Sequence, residues 1–120
     1  MIRTRRWNDP GEKGDGTRVL ICRYRPRGVK KSDETWDEWV PDLGPSRELH
    51  AEVYSDHGLP WSDYRRRYLQ EMQQPKPSFY IRALRQRVSS GEPITLLCSS
   101  ACTDESRCHR SLLKELIEIN

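Results

Sequence analysis

The chain has 120 residues, a length that fits one domain over residues 1–120, and no apolar run in it is long enough to cross a bilayer. Hydrophobic residues make up 34% and charged residues 32%, which is polar for a globular protein, yet four Trp and five Tyr supply bulky core material and exclude a disordered chain. The net charge of +3 conceals an asymmetry: residues 1–31 carry ten Lys/Arg and three Asp/Glu (+7), and residues 32–120 carry eleven and fifteen (−4).

A basic N-terminal third would attract phosphates or nucleic acid. The blander expectation is that its arginines pair with acidic residues, and the modest total charge favours that expectation over a nucleic-acid binder. Met1-Ile-Arg-Thr-Arg-Arg-Trp7 lacks the apolar stretch of a secretory signal, so the expected compartment is the cytoplasm. There Cys22, Cys98, Cys102 and Cys108 would be thiols, metal ligands or redox groups rather than structural disulfides.

In chain order, Ile2–Arg6 is short, basic and partly alternating, and predicts an edge strand. Asp9-Pro10-Gly11 and Gly14-Asp15-Gly16 are turn signals. The apolar centre of Thr17–Tyr24 predicts a buried strand, ended by Pro26-Arg27-Gly28. Residues 30–44 are polar, with Trp36, Trp39 and Pro41, and predict an irregular loop with at most one helical turn. Ser46 is suited to N-cap a helix running to about Tyr54, with Leu49 and Val53 on one face. From Pro60 to Gln73, Trp61, Tyr64, Tyr68 and Met72 form one stripe at helical spacing, which reads as a core face rather than a ligand platform. Two prolines within 74–77 predict a break, and Ser78 a cap for a third helix to about Ser89 with Ile81, Leu84 and Val88 inward. Ile94–Cys98 is the clearest strand, and the last helix is expected from near Ser106 to Ile117 with Leu112, Leu113 and Leu116 on its core face.

Strands separated by helices predict an α/β fold with a small, largely parallel or mixed sheet flanked by helices. The final strand–loop–helix unit is like half of a doubly wound, Rossmann-like fold, in which ligands sit beyond the carboxyl ends of the strands. That places residues 98–110, Cys-Ser-Ser-Ala-Cys-Thr-Asp-Glu-Ser-Arg-Cys-His-Arg, where a site is expected.

A thiol near a helix N-terminus and beside arginines has its thiolate favoured. Cys98 or Cys108 is then the candidate nucleophile, His109 a candidate base, and Arg107 and Arg110 candidate anion holders. The alternative is that Cys98 and Cys108 are small buried residues and His109 pairs locally. Cys98, Cys102, Cys108 and His109 are also four potential zinc ligands, but they lack the doubled short spacing of zinc ribbons. Adjacent Cys108 and His109 on a helix would diverge, so no metal site is expected. A tyrosine-phosphatase loop needs Arg six positions after its Cys; here those positions hold Asp104 and Cys108, and no glycine lies between Cys98 and Arg110. A second constellation, Arg23-Tyr-Arg25-Pro-Arg27-Gly28, follows the second strand. If that strand runs parallel to Ile94–Cys98, Arg23, Arg25 or Arg27 would face the cysteine loop as further anion contacts; otherwise the arginines are solvated around a turn shaped by Pro26 and Gly28. Arg65, Arg66 and Arg67 read as a solvated helix face with at most one inward pair to Glu71.

Several of these segments, in order, resemble the family known as Domain of Unknown Function 488, over nearly the whole chain. They are Asp15-Gly16 with Arg18-Val19-Leu20, Pro26-Arg27-Gly28 with Lys31, Trp39 with Gly44-Pro45-Ser46 and Leu49, Arg67-Tyr68 with Glu71, and Thr95–Cys98 with Cys108-His109-Arg110. The chain departs from the pattern at Gly44, where the family has alanine, and at Arg25, where many members have tryptophan. Ser99-Ser100 replaces a small–acidic pair, and the cysteine loop is longer, with Cys102 added. The resemblance implies a compact α/β domain with a clustered polar site, and no particular reaction or cofactor.

Three functions follow as expectations. The first is a thiol-dependent enzyme or sensor for an anionic, phosphate-bearing small molecule. The second is a non-catalytic nucleotide or nucleic-acid binding module using the basic third. The third is a protein-interaction domain, which exposure of Trp36 or Trp39 would favour. No membrane partner is expected.

Overall fold

The computed structural model describes residues 2–118. Its strands are β1 (Ile2–Arg6), β2 (Thr17–Leu20), β3 (Glu38–Trp39) and β4 (Ile94–Cys98), and its helices are α1 (Arg47–Val53), α2 (Trp61–Glu71), α3 (Pro75–Ser89) and α4 (His109–Glu118). Every residue of β4, Ile-Thr-Leu-Leu-Cys, is buried, as expected of a central strand in a parallel sheet. It pairs in parallel with β1 on one side and β2 on the other, giving the order β1-β4-β2-β3. The expected α/β architecture with a parallel sheet is therefore present, with β1 at an edge.

Alternation along β4 divides the core. Ile94 and Leu96 join Val19 and the inward residues of all four helices, among them Leu49, Tyr68, Leu84 and Leu113. On the opposite face Leu97 packs with Leu20 and Trp36, beneath Trp7 and Val29 from loops. In register, Arg6 lies opposite Cys98 and Leu20 opposite Leu97, so β1, β2 and β4 finish at one edge. The ladder extends just past the strands through Trp7 N–H to Cys98 O (2.8 Å) and Ile21 N–H to Leu97 O (3.0 Å).

Four sequence expectations need correction. β2 stops at Leu20 rather than Tyr24, because beyond Ile21 the chain turns from the sheet and the Cys22 carbonyl accepts the Trp39 indole N–H at 2.8 Å. The segment expected to be irregular contains β3, pinned when Arg87 of α3 grips Glu38 at 2.9 and 3.0 Å. The prolines at 75–77 do not break α3; they start it, since Pro75 occupies the first turn where no N–H partner is needed. Ser78 is inside that helix and donates its hydroxyl to Met72 O at 3.0 Å. The last helix begins at His109, after a separate 3₁₀ turn over Glu105–Arg107.

Ser46 caps α1 as expected, accepting from Leu49 N–H at 3.1 Å. Glu71 does not pair with the arginine run. It accepts from the Ser46 N–H (2.8 Å) and hydroxyl, tying α2 to the start of α1, while Arg67 pairs with Glu52 and Arg66 with Asp63. The basic third is largely paired. Asp15, buried, accepts from Arg3, Arg5 and Arg18; Arg6 pairs with Asp9, Arg25 with Glu34 and Arg23 with Asp42. Among the described residues no helix is long and apolar enough to cross a membrane.

Candidate functional site

The carboxyl ends of β2 and β4 open into a cavity of about 830 Å³, and all four cysteines of the chain line it. Its position follows from the parallel order of the strands, because the segments leaving β2 and β4 depart on the same side.

Cys98 is the last residue of β4 and is buried. Its Sγ lies 3.3 Å from Cys102 Sγ and 3.2 Å from Cys108 Sγ, and all three sulfurs lie within 4.8 Å of one another. Each comes from a different local structure. Cys102 follows a turn closed by its own N–H to Ser99 O (3.0 Å), and Arg110 Nη2 donates to the Cys102 carbonyl at 3.3 Å. Cys108 caps the 3₁₀ turn with an extended backbone (φ −133°, ψ 143°). It therefore precedes α4 instead of riding on it, and His109 stands outside the three-sulfur group, reaching Cys98 rather than Cys108.

His109, the first residue of α4, is buried against the Tyr68 ring, centroids 5.4 Å apart. Its Nε2 lies 2.9 Å from Ile21 O, an acceptor only, so Nε2 carries the proton. Nδ1 is left with a lone pair 3.7 Å from Cys98 Sγ. Burial holds the imidazole pKa below its ordinary value, which keeps the ring neutral.

The sulfurs titrate as a unit. Hydrogen bonds from Cys108 and then Cys98 pull the Cys102 thiol down, to about 3, with the charge of Arg110 adding to the effect. Contact with Cys102 pushes Cys98 up, and Cys108 up to about 12. In the hydrogen-bond chain Cys108 donates to Cys98 and Cys98 to Cys102, so the chain ends on the Cys102 sulfur. That sulfur is the half-buried one; Cys98 and Cys108 are 1% and 2% exposed.

The four expected anion contacts separate. Arg27 and Arg107 are exposed on the cavity rim and form no ion pair among the described residues. Arg25 also lines the cavity, but Glu34 occupies its guanidinium at 2.7 and 2.9 Å and Trp36 lies under it at 5.5 Å. Arg110 is buried behind the cysteine loop, and its Nε and Nη1 have no partner among the described residues.

Sequence reasoning missed much of the wall. The aromatic stripe of α2 splits: Trp61 and Tyr64 line the cavity while Tyr68 and Met72 enter the core. His50, between Tyr24 and Tyr54 at 5.0 and 4.7 Å, lines it too, and burial lowers its pKa. In the sequence Cys102 stands out only as a potential zinc ligand and as an extra cysteine in a lengthened loop, not as the reactive thiol. The signal that would have found it is that Cys98 ends a strand and Cys108 precedes a helix, so the loop between them must return past both.

Fold and site together define a parallel α/β protein with a thiol cluster in a cavity at the carboxyl edge of its sheet. The chain belongs to the DUF488-N3a family, described as the active DUF488-N3 subclade, whose model matches residues 2–120. It is similar to the uncharacterized protein YeaO of Escherichia coli, 33% identical over 105 residues covering 88% of each chain. It is similar also to the uncharacterized protein Rv3073c of Mycobacterium tuberculosis and Mb3100c of Mycobacterium bovis, each 29% identical over 116 residues, 97% of this chain and 92% of the relative. No solved structure matches the chain.

Proposed function

We propose that the protein is a thiol-dependent enzyme or sensor acting on a small molecule with an anionic, phosphate-like group, with Cys102 the sulfur that meets it. The observation that carries this reading is geometric. Three converging sulfurs sit in a cavity of about 830 Å³, a size suited to a small ligand, whose rim holds two cations unpaired among the described residues, Arg27 and Arg107. Cys108 donates to Cys98 and Cys98 donates to Cys102, and His109 positions Cys98 from behind. The subclade's description as active agrees with a chemical role. The thiols are read as reduced, as in a cytoplasm.

The other readings have less support. Six arginines of the basic third are engaged by Asp9, Glu12, Asp15, Glu34 and Asp42, which leaves little charge for a nucleic-acid backbone. Trp36 is buried, and Trp39, 39% exposed, has its indole N–H satisfied.

The test is site-resolved alkylation of reduced, metal-free protein with and without inorganic phosphate or pyrophosphate. Cys102 should label first, and the anions should slow it in the wild type but not in the Arg27→Gln/Arg107→Gln double variant. Labelling indifferent to both anions would remove the anion from the proposal.

A further inference from the structure

The same sulfurs have a second property that does not depend on an anionic substrate. We infer that Cys98, Cys102 and Cys108 form a three-thiolate site for a thiophilic divalent cation such as Zn²⁺, with its remaining position facing the cavity.

Distance is the first argument. A tetrahedral zinc site with Zn–S near 2.3 Å separates its sulfurs by about 3.8 Å. The sulfurs here touch at 3.2 and 3.3 Å and span at most 4.8 Å, so a spreading of about half an ångström makes room for the ion. They come from the end of β4, a loop turn and the residue before α4, which lets them move separately without unpairing the sheet.

Charge is the second argument. Three thiolates and a divalent cation leave one net negative charge in a largely buried place. Arg110 supplies the missing positive charge. It is 5% exposed, makes no ion pair among the described residues, and keeps Nε and Nη1 without partners while Nη2 bonds the Cys102 carbonyl. A buried guanidinium with two idle donors is costly unless an anion stands near it, and an anionic metal–thiolate cluster is such a partner.

Coordination number is the third argument. Three protein ligands with an open position are the arrangement of zinc centres that receive a ligand, whereas closed structural sites use four. Cys102 lines the cavity, and the rim cations Arg27 and Arg107 stand around the opening. His109 lies outside the three-sulfur group; its Nδ1 reaches Cys98 and its Nε2 is fixed on Ile21 O, which orients a ligand from behind. On binding, each thiol still protonated releases its proton to solvent, so uptake of the ion acidifies an unbuffered solution.

The experiment is an anaerobic Co²⁺ titration of the reduced, metal-stripped 120-residue chain, followed by the thiolate-to-cobalt charge-transfer absorption. The expected result is a band that saturates at one equivalent, is discharged by Zn²⁺, survives Cys22→Ser, and is lost in Cys98→Ser, Cys108→Ser and Cys102→Ala. Cys102 is in a loop and half-buried, so its variant is the one that retains the fold, checked by circular dichroism. No band at excess Co²⁺, or an undiminished band in folded Cys102→Ala, overturns the inference. Because the anion experiment uses metal-free protein, loss of anion protection with an intact cobalt band would defeat the proposed function alone, and the reverse pattern would defeat this inference alone.

Discussion

His109 donates its Nε2–H to the backbone oxygen of Ile21 across 2.9 Å, and that bond ties the start of α4 to the end of β2. Substituting phenylalanine keeps the ring but leaves the Ile21 carbonyl buried and unpaired, at a cost of about 1–3 kcal/mol. His109→Phe should therefore lower the urea midpoint measurably, and His109→Gln, whose amide can still donate, should lower it less. Equal midpoints for wild type and His109→Phe would show that the bond contributes nothing.

Asp15 is the buried anion at the centre of the basic third, accepting from Arg3, Arg5 and Arg18. Burial alone would raise its pKa, but the Glu12 N–H and the guanidiniums of Arg3 and Arg5 outweigh it and hold the carboxyl below its usual range. A depressed folded-state pKa contributes stability that is present above the unfolded value, near 3.9, and is lost as pH falls through the folded value. Wild-type urea midpoints should thus drop as pH falls from about 5 to 3. Asp15→Asn, which leaves Arg18 buried without its carboxylate, should cost about 3–5 kcal/mol at pH 7 and show a shallower acid decline. A variant with the wild-type acid profile would contradict this account.

Gly44 lies where two segments meet. A Cβ there would fall 2.4 Å from Arg23 N and 2.9 Å from Cys22 C, in the segment that walls the cavity. Gly44→Ala should cost about 1–3 kcal/mol in urea unfolding, as overpacked sites do. It should also weaken phosphate protection of Cys102, because the Arg23–Arg27 wall must shift. An alanine variant with unchanged stability would show that this wall yields freely, and that the family's alanine fits without rearrangement.

The parts of the fold legible in the sequence are those fixed by local pattern. β4 is readable because Ile94–Cys98 is a short apolar run of strand length following Gly91 and Pro93, and α1 because Ser46 caps it. β3 is not readable: two residues carry no period, and Glu38 is held by Arg87 from 49 positions away. The start of α3 was hidden because proline breaks a helix interior but suits its first turn. That a cavity opens at the strand ends was legible from the parallel order, and Arg27 and Arg107 line it. The roles of the cysteines were not. Which of these sulfurs stays half-exposed depends on the path of residues 99–107, and that path is set by contacts such as Arg110 with the Cys102 carbonyl.

The most direct test of the central claim is the rate of alkylation at each cysteine of the reduced, metal-free protein, measured by peptide mass mapping with and without pyrophosphate. The account predicts that Cys102 reacts well ahead of Cys98 and Cys108, which are shielded at 1% and 2% exposure, and that pyrophosphate slows Cys102 selectively. Comparable rates at Cys98, Cys102 and Cys108, unaffected by the anion, would contradict a thiol site that receives an anionic ligand.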